Sequence, residues 1–319
     1  MKLRFYQTEE IDPHKNLALE KYFLDRVGDD EFIIYFWANR DTIVIGRNQY
    51  AYDQVDMQAV MEDGIKIARR LSGGGAVYHD DNNLNFSFIM NAKRFDKETG
   101  YDIILKALTD IGVPAKKSGR NDITVDGRKF SGNAFLSVGN RYCHHGTILI
   151  NTDIAKMGKY LSIPKQKLSS KGVSSVQSRV LNLSEIAPEI NRESIMRSAR
   201  VAAESYFGQN AALIDDGEID FGEIERLTRF FSDKRFLFGD ELRDCEHASG
   251  AIDGIGLADI YFKRQNGAVS FIRIFTDSMS LPDMESVEGL FIGKDKSGIE
   301  AISRDGGAFE AGAARLLLS

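Results

Sequence analysis

Cysteine is scarce in this chain. Cys143 and Cys245 are the only two in 319 residues and lie far apart, which excludes a disulfide framework and a cysteine-rich zinc site and fits a reducing compartment. Positive charge is not in excess either. Lys and Arg number 41 against 47 Asp and Glu, a net charge of −6, so the chain does not hold nucleic acid through its overall field. A local basic site for a small phosphate-bearing ligand remains compatible with that balance. No apolar run approaches the roughly eighteen residues of a membrane-spanning helix, and the first residues, MKLRFYQTEEIDPHKN, carry charges where a signal peptide has an apolar core. The expectation is a soluble, cytoplasmic protein with neither a nucleic-acid nor a membrane partner. The common nucleotide fingerprints are absent as well. There is no G-x-x-x-x-G-K-[ST] run, and Gly73, Gly74 and Gly75 do not follow G-x-G-x-x-G spacing. If ATP binds, it binds in another type of fold.

What is present suggests two unequal parts, since a domain usually holds about 100–200 residues. Short apolar runs predict strands near residues 3–7, 32–37, 42–46, 65–70, 76–78, 84–89 and 147–151. Asp12-Pro13 marks a helix start, and helical spacing recurs over 55–63, 101–110, 193–206 and much of 215–235. Asp126-Gly127 and Gln265-Asn266-Gly267 are hairpin signals, the second joining two strands across 254–275, with a helix over 284–291 beyond. The polar stretch 165–178, rich in Lys, Ser and Gly, predicts a mobile surface loop. The chain changes character near residue 245, which predicts a larger α/β (α+β) unit over 1–245 and a small α/β unit over 246–319.

Three constellations carry candidate chemistry. In Arg69–Asp80 (RRLSGGGAVYHD), three glycines let backbone approach a ligand, their N–H groups can cradle an anion, and Arg69 and Arg70 can meet carboxylate or phosphate oxygens. A glycine run alone is also what a flexible turn looks like; the arginines and the following strand favour the binding reading. In the second, Asn121 and Asp122 precede a hairpin that delivers Lys129 next to Ser131-Gly132. A fixed ammonium there could neutralise a carboxylate and an α-phosphate as they approach, and Asp122 could hold Mg²⁺. In the third, His144 and His145 are neighbours in a strand and point to opposite faces, which argues against a shared metal. The same argument separates Cys143 from His144, so Cys143 is expected to be a buried, inert thiol rather than a nucleophile.

RRLSGGGAVYHD, NLNFSF, SGRNDI, GRKFSGNA, HHGTILIN and KGVSSVQSRVLNL occur in that order from Arg69 to Leu183. The series resembles the lipoate–protein ligase family from about Asp12 to Leu183, with weaker similarity through Ile274–Ser278. The resemblance implies a biotin/lipoate ligase-like catalytic domain of mixed sheets flanked by helices, plus a small C-terminal accessory domain. It implies an ATP-dependent ligase using Mg²⁺, which converts lipoate to lipoyl-AMP and then modifies a lysine of an acceptor. The implied acceptors are E2 subunits of 2-oxoacid dehydrogenases, the glycine-cleavage H protein or an H-like protein. Carried over position by position, Lys129 is the catalytic lysine. Arg70, Gly73, Gly74, Gly75, Ala76, Val77, Tyr78, Asn121, Asp122, Lys129, Lys171, Gly172 and Val173 contact ATP or the adenylate. Arg70, Gly75, His79, Lys129 and His145 contact lipoate. The stretch 171–176 matches a loop that orders over the adenylate.

Related octanoyl and lipoyl transferases use a cysteine thioester, but the regions where they carry it, aligned with 119–122 and with the surroundings of Pro164, hold no cysteine here. The Gly-Arg-Gly-Arg loop typical of biotin–protein ligases is replaced by Arg-Leu-Ser-Gly-Gly-Gly. A lipoate-binding protein without turnover is the reading from a different class. One departure concerns the acceptor. Many members read Trp-x-Phe-Gly-x-x-Pro ahead of the C-terminal domain, and Arg235–Asp240 lacks both the tryptophan and the proline, which leaves the choice among the usual acceptors and a specialised H-like one open.

Overall fold

The computed structural model describes residues 1–93, 97–162, 180–240, 242–279 and 283–319. The loop predicted over 165–178 lies outside them. The N-terminal part contains β1 (Lys2–Gln7), β2 (Glu31–Trp37), β3 (Thr42–Ile45), β4 (Lys66–Arg69), β5 (Val77–His79) and β6 (Asn83–Asn91). Then come β7 (Lys116–Ser118), β8 (Asp122–Val125), β9 (Arg128–Val138), β10 (Arg141–Leu149) and the short β11 (Ala212–Leu213). Eight of these form one mixed sheet in the order β11-β1-β2-β6-β10-β9-β8-β7, with β3 central between β4 and β5 in a second, three-stranded sheet.

The large sheet is covered on both faces. In β6 the even residues Leu84, Phe86, Phe88 and Met90 face a core shared with the helices Lys97–Asp110 and Arg192–Phe207. Ile33, Tyr35, Ile89 and Cys143 face the opposite way, toward the helices Pro13–Arg26 and Phe221–Phe231. Burial on both sides explains why β6 reads as a nearly continuous apolar run punctuated by Asn and Ser. Asp12 caps the first helix by accepting from the His14 and Lys15 amides, with Pro13 in its first turn. The predicted helix over 215–235 is broken in two. Asp220 caps Phe221–Phe231 and Asp233 caps Lys234–Phe238, so local side-chain caps end the spacing that sequence alone joined.

Toward the C-terminus, β12 (Glu246–Ile252), β13 (Gly256–Gln265) and β14 (Ala268–Thr276) form an antiparallel meander. Asn266 and Gly267 both take positive φ, 53° and 81°, as the predicted hairpin requires. The helices Met284–Phe291, Lys296–Asp305 and Ala308–Leu318 pack on the meander around Ile260, Ile272, Phe291 and Phe309, a core of its own. The last two helices and β12 have no counterpart in the sequence reading, because short apolar spacing interrupted by glycine gave no sustained period there. No helix among the described residues is long and apolar enough to cross a membrane.

Candidate active site

A cleft of about 670 Å³, counting its open mouth, lies between the large sheet and the glycine run. Its floor is read directly from strand register. Trp37 pairs with Asn85, Asn85 with Thr147, and Thr147 follows Gly146, which pairs with Asn133. Trp37, Asn85, Thr147 and Gly132 therefore form one row across β2, β6, β10 and β9, and all four line the cleft. Leu17, Val44, Val77 and Ala134 add apolar wall.

Lys129 reaches this floor because of an irregularity. β8 and β9 pair Ile123 with Ser131 but Thr124 with Lys129, so Phe130 is left over in the ladder. Such a bulge re-aims side chains. Phe130 turns into the core, fully buried, and Lys129 lines the cleft. Its side chain lies across Gly132, where an added Cβ would sit 3.2 Å from Nζ. Nζ is 2.6 Å from Asp122 Oδ1, the side chains about 40% exposed. After the undescribed stretch the chain returns beside the same lysine, with the Leu181 amide donating to Lys129 O at 2.8 Å.

The glycines do three different things. An added Cβ on Gly73 would sit 2.2 Å from Ser278 O, so this residue packs against the segment after β14 and does not line the cleft. Gly74 has φ +90° and donates its amide to Ser278 O at 3.1 Å. Gly75 has nothing near its missing Cβ and faces open space. Ala76 and Val77 line the cleft beside it.

Two expectations for this stretch need correction. Arg69 and Arg70 do not present free guanidinium forks to a ligand. Arg69 donates to the carbonyls of Gly46, Arg47, Gln49, Phe236 and Leu237. Arg70 lines the cleft, but its Nε, Nη1 and Nη2 donate to Ser72 Oγ and to the carbonyls of Val44, Gly73 and Gly75. Burial lowers both guanidinium groups to about 10, still charged at neutral pH. Arg70 holds the glycine run in shape, and Arg69 ties the turn at 46–49 to the helix Lys234–Phe238. Tyr78 is the second correction. Its ring packs against Tyr160 on the far side of β5 and its hydroxyl donates to Asp41, so only its backbone belongs to the loop. Strand alternation sends Val77 and Tyr78 to opposite faces.

Beside the cleft runs a buried network that the sequence reading missed, and two of its members, His145 and Trp37, also line the cleft. His145 Nδ1 lies 2.8 Å from Glu20 Oε2, and its Nε2 lies 2.7 Å from Ser72 Oγ. Ser87 Oγ donates to Glu20 Oε2 and accepts from Trp37 Nε1. Burial pushes the Glu20 carboxyl up, but His145 and the hydrogen bonds from His145, Ser87 and Cys143 outweigh it, so the group titrates below its ordinary value. Cys143 and His145 are two apart in β10 and share a face, a signal that adjacency of Cys143 and His144 conceals. The Cys143 thiol is fully buried and held well above its usual range by burial and by Glu20. The thiol is buried, as expected. His144 points the other way and meets Asn133 Oδ1 through Nε2, so the two histidines indeed diverge.

His79 lines the cleft and is 2% exposed. Asn39 spends its Oδ1 on Asn16 Nδ2, leaving its Nδ2 to face His79 Nδ1 at 3.1 Å. His79 Nδ1 is then an acceptor, and the proton belongs on Nε2, which has no protein partner. Burial, with the Arg70 and His145 charges, lowers this imidazole to about 3. Asn121 also lines the cleft; its Nδ2 donates to Asn133 O, and Met279 Sδ lies 3.7 Å away. Lys171, Gly172 and Val173 lie outside the described residues. Among the described residues Asp122 belongs to no group of three or more potential metal ligands.

The family described as the lipoyl protein ligase A/B catalytic domain matches residues 12–203. A lipoate-protein ligase A of Bdellovibrio bacteriovorus is 33% identical over 285 residues, covering 87% of this chain and 84% of that protein. One of Blochmanniella floridana is 33% identical over 298 residues, covering 91% and 88%. The crystal structure of P. falciparum LipL1 in complex with lipoate superposes with a TM-score of 0.83, 26% identity and 99% of each chain covered. A lipoate-protein ligase A bound with ATP shares the fold at TM-score 0.64 and 22% identity over 75% of this chain and 99% of that one.

Proposed function

Since the chain belongs to the lipoyl protein ligase A/B family, we propose that it activates lipoate with ATP and transfers the lipoyl group to a lysine of a lipoyl-domain acceptor. The observation that carries this reading is Lys129, re-aimed by the bulge into a cleft with apolar walls and set beside Asp122. In the first step a lipoate carboxylate oxygen bonds to the α-phosphorus of ATP, the bond to the β-phosphate bridge breaks, and pyrophosphate leaves. Two anions must meet, and the Lys129 ammonium offsets their repulsion. Gly75, Ala76 and Val77 supply backbone at the cleft edge, and the Nε2–H of His79 offers a donor to the acyl group. In the second step the acceptor amine attacks the acyl carbonyl and AMP leaves with the electron pair of the anhydride bond.

Mg²⁺, when bound, would screen phosphate charge, and Asp122 is the residue we assign to hold it. A single carboxylate fits an ion that keeps several waters and takes phosphate oxygens from its substrate. Arg70 acts in this scheme by fixing the glycine run; Asn121 contributes at the cleft rim. We further divide the chain into a catalytic unit over 1–245 and an accessory unit over 246–319, and place the protein in the cytoplasm on the strength of its two free cysteines. Acceptors in view are E2 lipoyl domains, a glycine-cleavage H protein or an H-like protein.

A thioester-forming transferase is disfavoured because neither cysteine lines the cleft: Cys143 is buried behind it, and Cys245 packs near Tyr50, Leu242 and Tyr261. The test is ATP–pyrophosphate exchange with lipoate, octanoate and biotin, followed by transfer to each acceptor class. Exchange with lipoate and mass gain on one acceptor lysine is the expected result. Exchange with biotin but not lipoate would overturn it.

A further inference from the structure

We propose that Asn85 discriminates between acyl tails, favouring one that carries a hydrogen-bond acceptor, such as the cyclic disulfide of lipoate, over a plain alkyl tail such as octanoate. The inference rests on the functional reading above and names the tail chemistry that the same cleft selects.

Asn85 stands in the middle of the floor. Its strand neighbours Trp37 and Thr147 line the cleft with it, and the surrounding walls, Leu17, Val44, Val77 and Ala134, are apolar. A polar side chain there is conspicuous because the rest of that surface suits a hydrocarbon. Asn85 is 2% exposed, and its amide is only half satisfied. Oδ1 accepts from Asn83 Nδ2 at 2.9 Å, whereas Nδ2 has no partner in the protein. Asn83, beside it on the same face of β6, is fully buried and does not line the cleft; its Nδ2 binds Asn85 Oδ1 while its own Oδ1 has no protein partner.

One residue farther along the same face of β6, Ser87 both donates to Glu20 and accepts from Trp37. The Asn83–Asn85 pair leaves two atoms unmet, Asn83 Oδ1 and Asn85 Nδ2, and of the two residues only Asn85 lines the cleft. An unmet buried donor is costly, and a ligand that covers it without an acceptor forfeits the hydrogen bond that water gave it. A site built to hydrogen-bond its substrate thereby rejects analogues lacking the complementary group. Sulfur is a weak acceptor, so the discrimination is modest, about tenfold.

The experiment compares kcat/KM for lipoate and octanoate by ATP–pyrophosphate exchange in the full-length enzyme and in Asn85→Leu and Asn85→Ala. The lipoate-to-octanoate ratio should fall about tenfold in both variants, chiefly through a lower KM for octanoate, with kcat nearly unchanged. A residue needed only for folding would depress both acids together and leave the ratio alone. An unchanged ratio overturns the proposal; should Asn85→Leu fail to fold, Asn85→Ala carries the same comparison. Absence of exchange with either acid in the unmodified enzyme overturns the functional reading itself, and this inference with it, and is distinguishable because it precedes any variant.

Discussion

The wall behind the cleft and the cleft surface itself treat polarity in opposite ways. Along the wall, Glu20, His145, Ser72, Ser87 and Trp37 form a chain of paired polar groups, of which only His145 and Trp37 reach the cleft. On the cleft surface, His79 Nε2 and Asn85 Nδ2 are buried without one, and Lys129 relies on a partly exposed ion pair. A satisfied network specifies structure and is costly to break; unsatisfied groups contribute little to stability and are available to a ligand. The difference separates the residues that build the site from those that use it.

The sharpest way to break the comparison is to damage the satisfied side. Glu20→Ala strands a buried imidazole and should lower unfolding stability by about 3–5 kcal/mol in urea titration, whereas Glu20→Gln, which keeps an acceptor, should lose less. Because the Glu20 carboxyl titrates below its ordinary value, its contribution is present above that value and disappears as pH falls through the lowered one. On the ligand-facing side, Lys129→Ala should leave the urea midpoint nearly unchanged while reducing lipoate-dependent exchange by about a hundredfold or more. Near-normal exchange would show that the bulge re-aims this lysine for another purpose.

A third test uses pH. His79 and His144 are pulled from 6.5 down to about 3, mainly by burial. The unfolded chain binds their protons first, so stability falls as pH drops from 6.5 toward 3, by up to about 1.4 kcal/mol per pH unit for each. His79→Gln should make this limb shallower in pH-dependent unfolding; an unaltered slope would mean that His79 is protonated in the fold. The smallest effect is expected at Cys143→Ser, which should retain ATP-dependent ligation. Loss of transfer with intact exchange in that variant would revive a thiol in the second step.

Much of this architecture was legible in the sequence because it depends on local rules. Asp12-Pro13, Asp126-Gly127 and Asn266-Gly267 each specify a cap or turn through their own backbone preferences, and all three occur where expected. Lys129 was identified by its setting, but the reason it reaches the cleft was not, since a bulge is a property of two paired strands. Glu20, Asn85 and Ser72 were invisible for the same reason: their roles arise from register and packing between segments as distant as residues 20 and 145. The arginines misled in an instructive way. An Arg-Arg pair beside glycines suggests an anion site, yet glycine runs expose many carbonyls, and a buried guanidinium meets those first.

Gly73 and Gly74 also have a second face. One side of the glycine run borders the cleft, while the other rests on Ser278 and Met279 through the Gly74 amide and the missing Cβ of Gly73. The two faces share one backbone, so they share one free energy. A ligand that shifts the run must alter its grip on Ser278, and loosening that grip must alter the ligand's affinity by the same factor. Binding in the cleft and attachment of the C-terminal unit are in this sense two readings of a single thermodynamic quantity, and either can be measured by titrating the other.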